Sequence, residues 1–385
     1  MSQEGPIESI AEPGIRATGE VLHTMRNEVA QLLNRHQRSF PGAQPVSFTR
    51  SHLEELKKED YFVCEKSDGI RYLLYLTEDE FGKEAHYLID RKNEYWFINS
   101  KSLHFPTPQS VQSFHIQTLI DGELVMDMED GREVPRLLLF DCLVIDGKNI
   151  MERPLDKRLA YMKDHIYMPY KRLFQEFPDE LQYQPFEVLM KDMQLSYGVE
   201  MMFKDVLPIL KHGNDGLIFT CRTSSYRHGT DPHILKWKPP EENTIDCRLK
   251  LYFPTVEPDE DDIANGITDP YTDYHTLERA ELWAYMGDAQ PRYQKYADAY
   301  ISEKEFEELI SLGDPLNDRV AECYLDELGR WRVSRFRDDK PEANHISTLQ
   351  SVIRSIKDGV TEQDLLNAAK GVKDAWKARN SKPGR

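Results

Sequence analysis

The segment EKSDGIR, Glu65 to Arg71, sets a lysine, a carboxylate, a glycine and a guanidinium side by side between two apolar runs, YFVC and YLLYL. A lysine amine attacks phosphorus or carbon only when deprotonated. A nucleophilic lysine therefore needs nearby cations or desolvation to bring it down from its ordinary value of about 10.4. Lys66 is the candidate nucleophile, and other lysines or a divalent metal could supply that push. Gly69 permits a tight turn or a close backbone approach to a ligand, while Asp68 and Arg71 offer opposite charges within a few residues. Taken alone, K-x-D-G more often marks a surface turn carrying a solvated lysine.

Other residues along the chain have the right types to complete such a site. Lys236 and Lys238, in ILKWKPP, are two apart on an apolar strand and would share a face, where paired cations bind phosphate. Asp215 and Asp246 are carboxylates suited to Mg²⁺ or Mn²⁺ held by few protein ligands and by substrate phosphates; either could equally be a turn residue. His212, His228 and His233 lack Cys or carboxylate neighbours at ligand spacing and read as hydrogen-bonded structural histidines. Asp121-Gly122 and Asp146-Gly147 read as turns.

These residues need a scaffold, and 385 residues with 39% hydrophobic and 30% charged content predict a globular chain of two domains. The net charge of −18 excludes a protein that coats nucleic acid through a general basic surface, so any RNA contact must be local. Five widely spaced cysteines without a CxxC pair indicate neither a disulfide framework nor a zinc site. The polar N-terminus and the lack of a long apolar run predict neither secretion nor a membrane span, and the C-terminal KARNSKPGR is a weak basic cluster.

Apolar spacing predicts a helix over Glu20 to Asn34, then short strands from Tyr61 to about Lys238, interrupted by helices over Lys157 to Ile166 and Val199 to Lys211. That is an α+β domain rich in antiparallel strands. Pro239-Pro240-Glu241-Glu242 marks a linker. Strand-like runs follow at Cys247 to Phe253, Leu282 to Tyr285, Val320 to Tyr324 and Trp331 to Phe336, compatible with a five-stranded barrel, and helical patterns after His345 are expected to return to the first domain. The acidic stretch Glu257 to Asp262 reads as a solvated insertion.

EKSDGIR is followed in order by LIDRKNEYWFI, LIDGELV, NDGLIFT, ILKWKPP, NTIDCRL and WRVSRFRDDKPEANH. This series, over about residues 40 to 345, resembles the covalent nucleotidyltransferase superfamily of capping enzymes and polynucleotide ligases. The lead-in FPGAQPVSFTRSHLEEL, the aspartate of NDGLIF, the doubled lysine of LKWKP and the RFRDDK segment are similar to the fungal branch of GTP:mRNA guanylyltransferases.

The resemblance implies an α+β nucleotidyltransferase domain of the ATP-grasp-like, DNA-ligase-like kind over residues 1–239. It also implies an OB-fold barrel over 240–359, with a helix from 360–385 packing back on the first domain. It implies GTP as substrate, covalent GMP on Lys66, and Mg²⁺ or Mn²⁺. Asp68, Gly69, Arg71, Arg91, Glu123, Asp215, Gly216, Lys236 and Lys238 become nucleotide-contact positions, with Lys236 and Lys238 directed toward Lys66 and the α-phosphate. Phe140 would stack on the base and Lys191 would read guanine O6, while Arg335, Arg337, Asp339 and Lys340 would contact the phosphates, the last three at the pyrophosphate. The implied partners are 5′-diphosphate RNA, a separate RNA 5′-triphosphatase subunit and the phosphorylated C-terminal tail of RNA polymerase II, in the nucleus. Lys157, Arg158, Lys171 and Arg172 are basic residues that could receive phosphoserines, or simply solvated charge. An ATP-dependent polynucleotide or RNA ligase would share most of these motifs. A catalytically silent scaffold would have no use for the full reactive set.

Overall fold

In a computed structural model the described residues are 5–381; the first four residues of the polar leader and the last four of the C-terminal basic cluster lie outside them. The chain divides into two compact units, Met1–Trp237 with Glu362–Arg385, and Lys238–Thr361. The division falls at Trp237, just ahead of the Pro239-Pro240 pair.

The first unit is built on two largely antiparallel sheets. In the eight-stranded sheet, Ile70–Glu78 lies between Glu84–Ile89 and Thr118–Glu129, and Arg132–Ile145 pairs on the far side of Thr118–Glu129. In the five-stranded sheet, Tyr61–Ser67 pairs with Asn214–Cys221, which pairs with Gly229–Trp237, with Ala43–Ser47 at the edge. Ser67 thus ends a strand of one sheet and Ile70 begins a strand of the other. Lys66 stands at that junction, where a side chain opens between two rigid layers. Gly69 is required there: a Cβ would lie 2.6 Å from the Leu124 carbonyl oxygen, so the close approach it permits is to the neighbouring strand.

The near-continuous apolar run Tyr72-Leu73-Leu74-Tyr75-Leu76 follows from burial on both faces. Tyr72, Leu74 and Leu76 pack with Leu137, Leu139, Met162 and Ile166, while Leu73 and Tyr75 pack with Val29, Leu33 and Leu143 under the helix Gly19–Leu32. The helix expected to end at Ile166 runs on instead, from Leu155–Met162 through a π-helical turn into Met168–Glu176. The segment expected as one helix over Val199 to Lys211 breaks into three short pieces, α, π and 3-10, the last holding Pro208, and Met201 is exposed. Asp146 and Gly147 do form a turn, both at positive φ, while Asp121 and Gly122 do not: they lie mid-strand in Thr118–Glu129. A buried carboxylate with a cationic partner can occupy a strand interior, and spacing along the sequence does not reveal the partner.

A polar clasp holds the hairpin of Pro106–Thr107 and Ser110–Phe114. The His104 ring reaches the Glu84 carboxylate through Nδ1 and the Val111 carbonyl through Nε2, and both partners are acceptors, so it serves both only as an imidazolium. Glu84 also accepts from His86 and from the Phe105 N–H at 2.8 Å. Burial works against the Glu84 carboxylate, but the hydrogen bonds from His104 and His86 outweigh it and hold the group down at about 2. The bond to Glu84 raises His104 above its ordinary value. Stability from His104 is complete below its unfolded value and fades as pH rises through the folded one; stability from Glu84 is present above its unfolded value and is lost as pH falls toward about 2. The clasp is therefore strongest between about pH 4.3 and 6.5. His104→Gln should depress the melting temperature most in that window and least at alkaline pH, which thermal melts of both chains across pH will read.

The second unit is a closed five-stranded barrel in the order Thr244–Tyr252, Arg279–Tyr285, Tyr293–Ala299, Trp331–Phe336, Val320–Leu325. The helix Glu303–Ser311 connects Tyr293–Ala299 to Val320–Leu325, an OB-fold arrangement. Tyr293–Ala299 escaped the sequence pattern because none of its residues is fully buried. The helix Ile346–Asp358 does not return to the first unit: Leu349 joins the barrel core with Ile245, Leu249 and Leu282. The final helix, Glu362–Asn380, is the one that belongs to the first unit, where Arg379 reaches Asp60 and Trp376 lies 5.4 Å from Tyr197.

Candidate active site

Strand register places the Lys66 amine. Cys64 lies opposite Ile218 and Ile218 opposite Lys236, one row across three strands, with Lys66 on the same face two residues beyond Cys64. Lys66 Nζ donates to Asp215 Oδ1 at 2.6 Å, with both side chains about a quarter exposed (26% and 28%). Asp215 reaches that position through a bulge. The register of its strand jumps between Asn214 and Leu217, and Gly216 takes φ +139°. The Asp68 N–H donates to Gly213 O at 2.7 Å, tying the K-S-D-G turn to the segment that presents Asp215.

Beside this pair lies a cavity whose floor is ionic. Arg71, 9% exposed, donates through Nε and Nη2 to the two oxygens of Asp121 at 2.9 and 2.6 Å, and also to Ala43 O. Tyr226 donates to Asp121 at 2.6 Å and accepts from the Ala43 N–H at 3.0 Å. Burial works against the Arg71 charge, but Asp121 more than offsets it and raises the guanidinium further. Arg71 is thus a fixed wall of the cavity with its fork already occupied. Asp141 and Arg158 form a second buried pair, at 2.7 and 2.8 Å.

The remaining wall carries an aromatic ring and buried charged groups. Phe140 is half-buried, with the Arg71 guanidinium 5.6 Å and the Lys191 ammonium 6.0 Å from its ring centre. Lys191 Nζ donates to Ser67 Oγ at 2.7 Å and lies 3.5 Å from both Glu65 and Glu123. Burial opposes its charge, but Lys191 is raised above its ordinary value, with the Glu65 and Glu123 carboxylates beside it favouring the ammonium. Burial in turn pushes the Cys64 thiol up to about 12, so this cysteine is a neutral wall. Arg91 stands exposed at the same lining. An aromatic face, a paired donor and acceptor, a rim cation and an amine suit a planar polar ring that carries phosphate.

The second unit holds its own cation cluster. Arg337 donates to both oxygens of Asp339 at 2.9 and 2.8 Å, and Lys340 donates to Asp246. The Arg337 bond holds the Asp339 carboxyl down at about 2. Asp246 also accepts from Asn344 at 3.2 Å and lies 3.4 Å from Arg337. Arg335 is largely exposed and donates to Glu322 at 2.6 Å.

The first unit therefore brings together Lys66, Arg71, Arg91, Glu123, Phe140 and Lys191 around one cavity, with Asp215 on Lys66 and Lys236 on the same sheet face. Arg335, Arg337, Asp339, Lys340 and Asp246 belong to the second unit. Lys238 lies one residue past the end of its strand, which stops at Trp237 ahead of the two prolines. Arg158 cannot receive a phosphoserine: it is 1% exposed and committed to Asp141. The three histidines are hydrogen-bonded, His212 to Asp127, His228 to Pro41 O and His233 to Asp231. Among the described residues no group of three or more His, Cys, Asp or Glu is arranged to hold a metal. Asp215 offers a carboxylate beside the amine. That donor set suits Mg²⁺ or Mn²⁺ in the mode where one carboxylate and substrate phosphates share the ion. Asp121, Asp141 and Tyr226 line the cavity without having been picked out by sequence; the one available signal was an unexplained aspartate inside an apolar strand.

Residues 7–240 match the family described as mRNA capping enzyme, catalytic domain, and residues 242–366 the one described as mRNA capping enzyme, C-terminal domain. The chain is 56% identical over 390 residues to the mRNA-capping enzyme subunit alpha of Neurospora crassa, spanning 99% of this chain and 97% of that one. It is 43% identical to the Schizosaccharomyces pombe protein of the same name, spanning 97% and 90%. Among solved structures, mycobacterial DNA ligase D complexed with ATP and MES aligns over 78% of this chain and 95% of that chain, at 15% identity and a TM-score of 0.36.

Proposed function

The chain belongs to the mRNA capping enzyme family, and from that premise we propose that Lys66 carries the GMP of a GTP:mRNA guanylyltransferase reaction. In the first step the Lys66 nitrogen bonds to the α-phosphorus of GTP, the bond from that phosphorus to the bridging oxygen breaks, and pyrophosphate leaves. In the second, a β-phosphate oxygen of 5′-diphosphate RNA attacks the same phosphorus. The P–N bond breaks, and the amine takes back a proton as GpppRNA forms.

The observation that carries this reading is the position of Lys66 Nζ, 2.6 Å from Asp215 at the side of a cavity walled by Phe140, Glu123 and Lys191. Phe140 stacks on guanine, Lys191 donates to its O6, and Glu123 accepts from guanine N–H or ribose hydroxyl groups. While Lys66 donates to Asp215 as an ammonium its nitrogen has no lone pair to offer, so attack requires that this pair part and a proton leave. Asp215 would hold Mg²⁺ or Mn²⁺ together with the phosphates, an ion that neutralises charge on the phosphate oxygens when bound. Arg91 and Lys236 steady the phosphate chain. Label from α-phosphate-labelled GTP, and none from ATP, should stay on the acid-sensitive denatured chain; label from ATP alone would make the chain a ligase.

In-line displacement puts the leaving oxygen opposite the attacking nitrogen, so leaving-group contacts come from groups other than those around Lys66. Arg337 and Lys340, with Arg335 nearby and Asp339 orienting Arg337 beforehand, take that role, the two central cations exchanging Asp339 and Asp246 for phosphate oxygens. Lys340→Ala should then slow formation of enzyme-GMP by about tenfold or more while changing transfer from preformed enzyme-GMP to RNA by much less. Rapid-quench measurement of the two half-reactions checks it, and a defect confined to transfer would remove Lys340 from the leaving-group role.

The Neurospora crassa and Schizosaccharomyces pombe relatives are named alpha subunits, which supports assembly with a second subunit. A separate RNA 5′-triphosphatase would supply the diphosphate end, and the phosphorylated tail of RNA polymerase II would recruit the enzyme to nascent transcripts in the nucleus. Among the described residues no helix is long and apolar enough to cross a membrane.

A further inference from the structure

Asp141 joins Phe140 on the cavity side because their strand breaks its own alternation. In Arg132–Ile145, Leu137 and Leu139 point into one core cluster, and Cys142 continues that face where a regular pleat would have brought Asp141. The register against Thr118–Glu129 jumps at the same place: Leu139 lies opposite Gly122 and Asp141 opposite Asp121, leaving Phe140 as the extra residue of a β-bulge. Phe140 and Asp141 are neighbours that would otherwise point to opposite faces, yet both line the cavity. A bulge interrupts ladder hydrogen bonds, so its geometry must be fixed by something else.

Arg158 supplies that fixation. It lies behind Asp141 and outside the lining of the cavity, 1% exposed, and grips both carboxylate oxygens, at 2.7 Å through Nε and 2.8 Å through Nη2. The Asp141 oxygen that takes Nε also accepts the Cys142 N–H at 2.7 Å, so the carboxylate bridges the guanidinium to the bulge's own backbone. The other end of Arg158 is anchored on Arg153 O and on Ser224 O at 2.8 Å. A well-packed apolar pair could match the stability of such a buried ion pair, but it could not fix a backbone irregularity through directed hydrogen bonds.

We propose that the Arg158–Asp141 pair is a positioning clamp that sets the bulge and, through it, the pose of Phe140 against the nucleotide base. The clamp rests on the reading of Phe140 as the base-stacking wall. It acts on nucleotide affinity and leaves the bond-making step to groups around Lys66. Asp141→Asn halves the directed contact while preserving side-chain shape, and Arg158→Lys removes the fork.

The test is a mutant cycle in the full chain, with Asp141→Asn and Arg158→Lys made alone and on a Phe140→Ala background. KM for GTP and kcat are read from enzyme-GMP formation, and melting temperature is read beside them. Phe140→Ala should raise KM about tenfold, the loss of one base-stacking contact. Each clamp variant should raise KM several-fold in the parent chain, change kcat less, and add nothing further once Phe140 is gone. Equal rises in KM on both backgrounds would overturn the clamp, as would the loss of the first unit's melting transition in both variants, since the pair would then be a folding element. An unchanged KM in Phe140→Ala alone would instead overturn the base-wall reading.

Discussion

Replacing Lys66 with alanine is expected to reduce covalent nucleotide attachment to background while leaving the unfolding transition within about 1 kcal/mol of the parent chain. The two halves of that expectation have separate physical origins. Lys66 is only partly buried, its partner Asp215 likewise, and an ion pair with that much solvent access contributes little to folding. Attack on phosphorus, by contrast, needs a nitrogen in line with the leaving oxygen, and the cavity's other primary amine, Lys191, is held by Ser67 between Glu65 and Glu123. Lys66→Arg should be equally inactive, because a guanidinium stays protonated. The measurement is acid-sensitive label on the denatured chain beside a melting curve. Persistent label in Lys66→Ala would move the nucleophile elsewhere.

Asp121→Ala is expected to produce the opposite pattern, a loss of stability of about 3–5 kcal/mol in the first unit with activity falling as a consequence. Asp121 has no exposure and holds two oxygens against Arg71 and one of them against Tyr226. Without it, Arg71 keeps its charge while nine-tenths buried, and the Tyr226 hydroxyl loses its acceptor. Ala43 would be released as well, since Arg71 donates to its carbonyl and its N–H donates to Tyr226. Asp121→Asn, retaining one acceptor, should lose less. A melting temperature unchanged in Asp121→Ala would show that Arg71 finds another partner and that the ionic floor is not structural.

The difference between these residues also explains what the sequence made legible. Lys66 stands in a short motif between two strongly apolar strands, so its identity and its strand-turn-strand setting are both local signals. The apolar alternation of Tyr61–Ser67 and Ile70–Glu78 announces β structure for the same reason. Asp121 looked like half of a turn because aspartate before glycine usually is one. Its partners Arg71 and Tyr226 lie 50 and 105 residues away, and pairing over such distances leaves no periodic trace. Asp141 and Arg158 were invisible as a pair for that reason, and Arg158 passed for a surface charge. Tyr293–Ala299 was missed because its exposed positions carry no hydrophobic pattern. Residues whose roles depend on contacts along the chain could be read; those fixed by contacts across it could not.

In the second unit, the cations of the RFRDDK segment are neutralised by their own neighbours, Arg337 by Asp339 and Lys340 by Asp246. Such cations keep their geometry without substrate and can exchange one anion for another at modest net cost.

The most direct test of the central assignment is to incubate the intact chain with GTP and Mg²⁺, digest it at alkaline pH where a phosphoramidate survives, and locate the adduct by mass spectrometry. The account predicts one GMP, on the peptide that contains Lys66. GMP on any other residue, or no adduct in a chain that caps RNA, would contradict it.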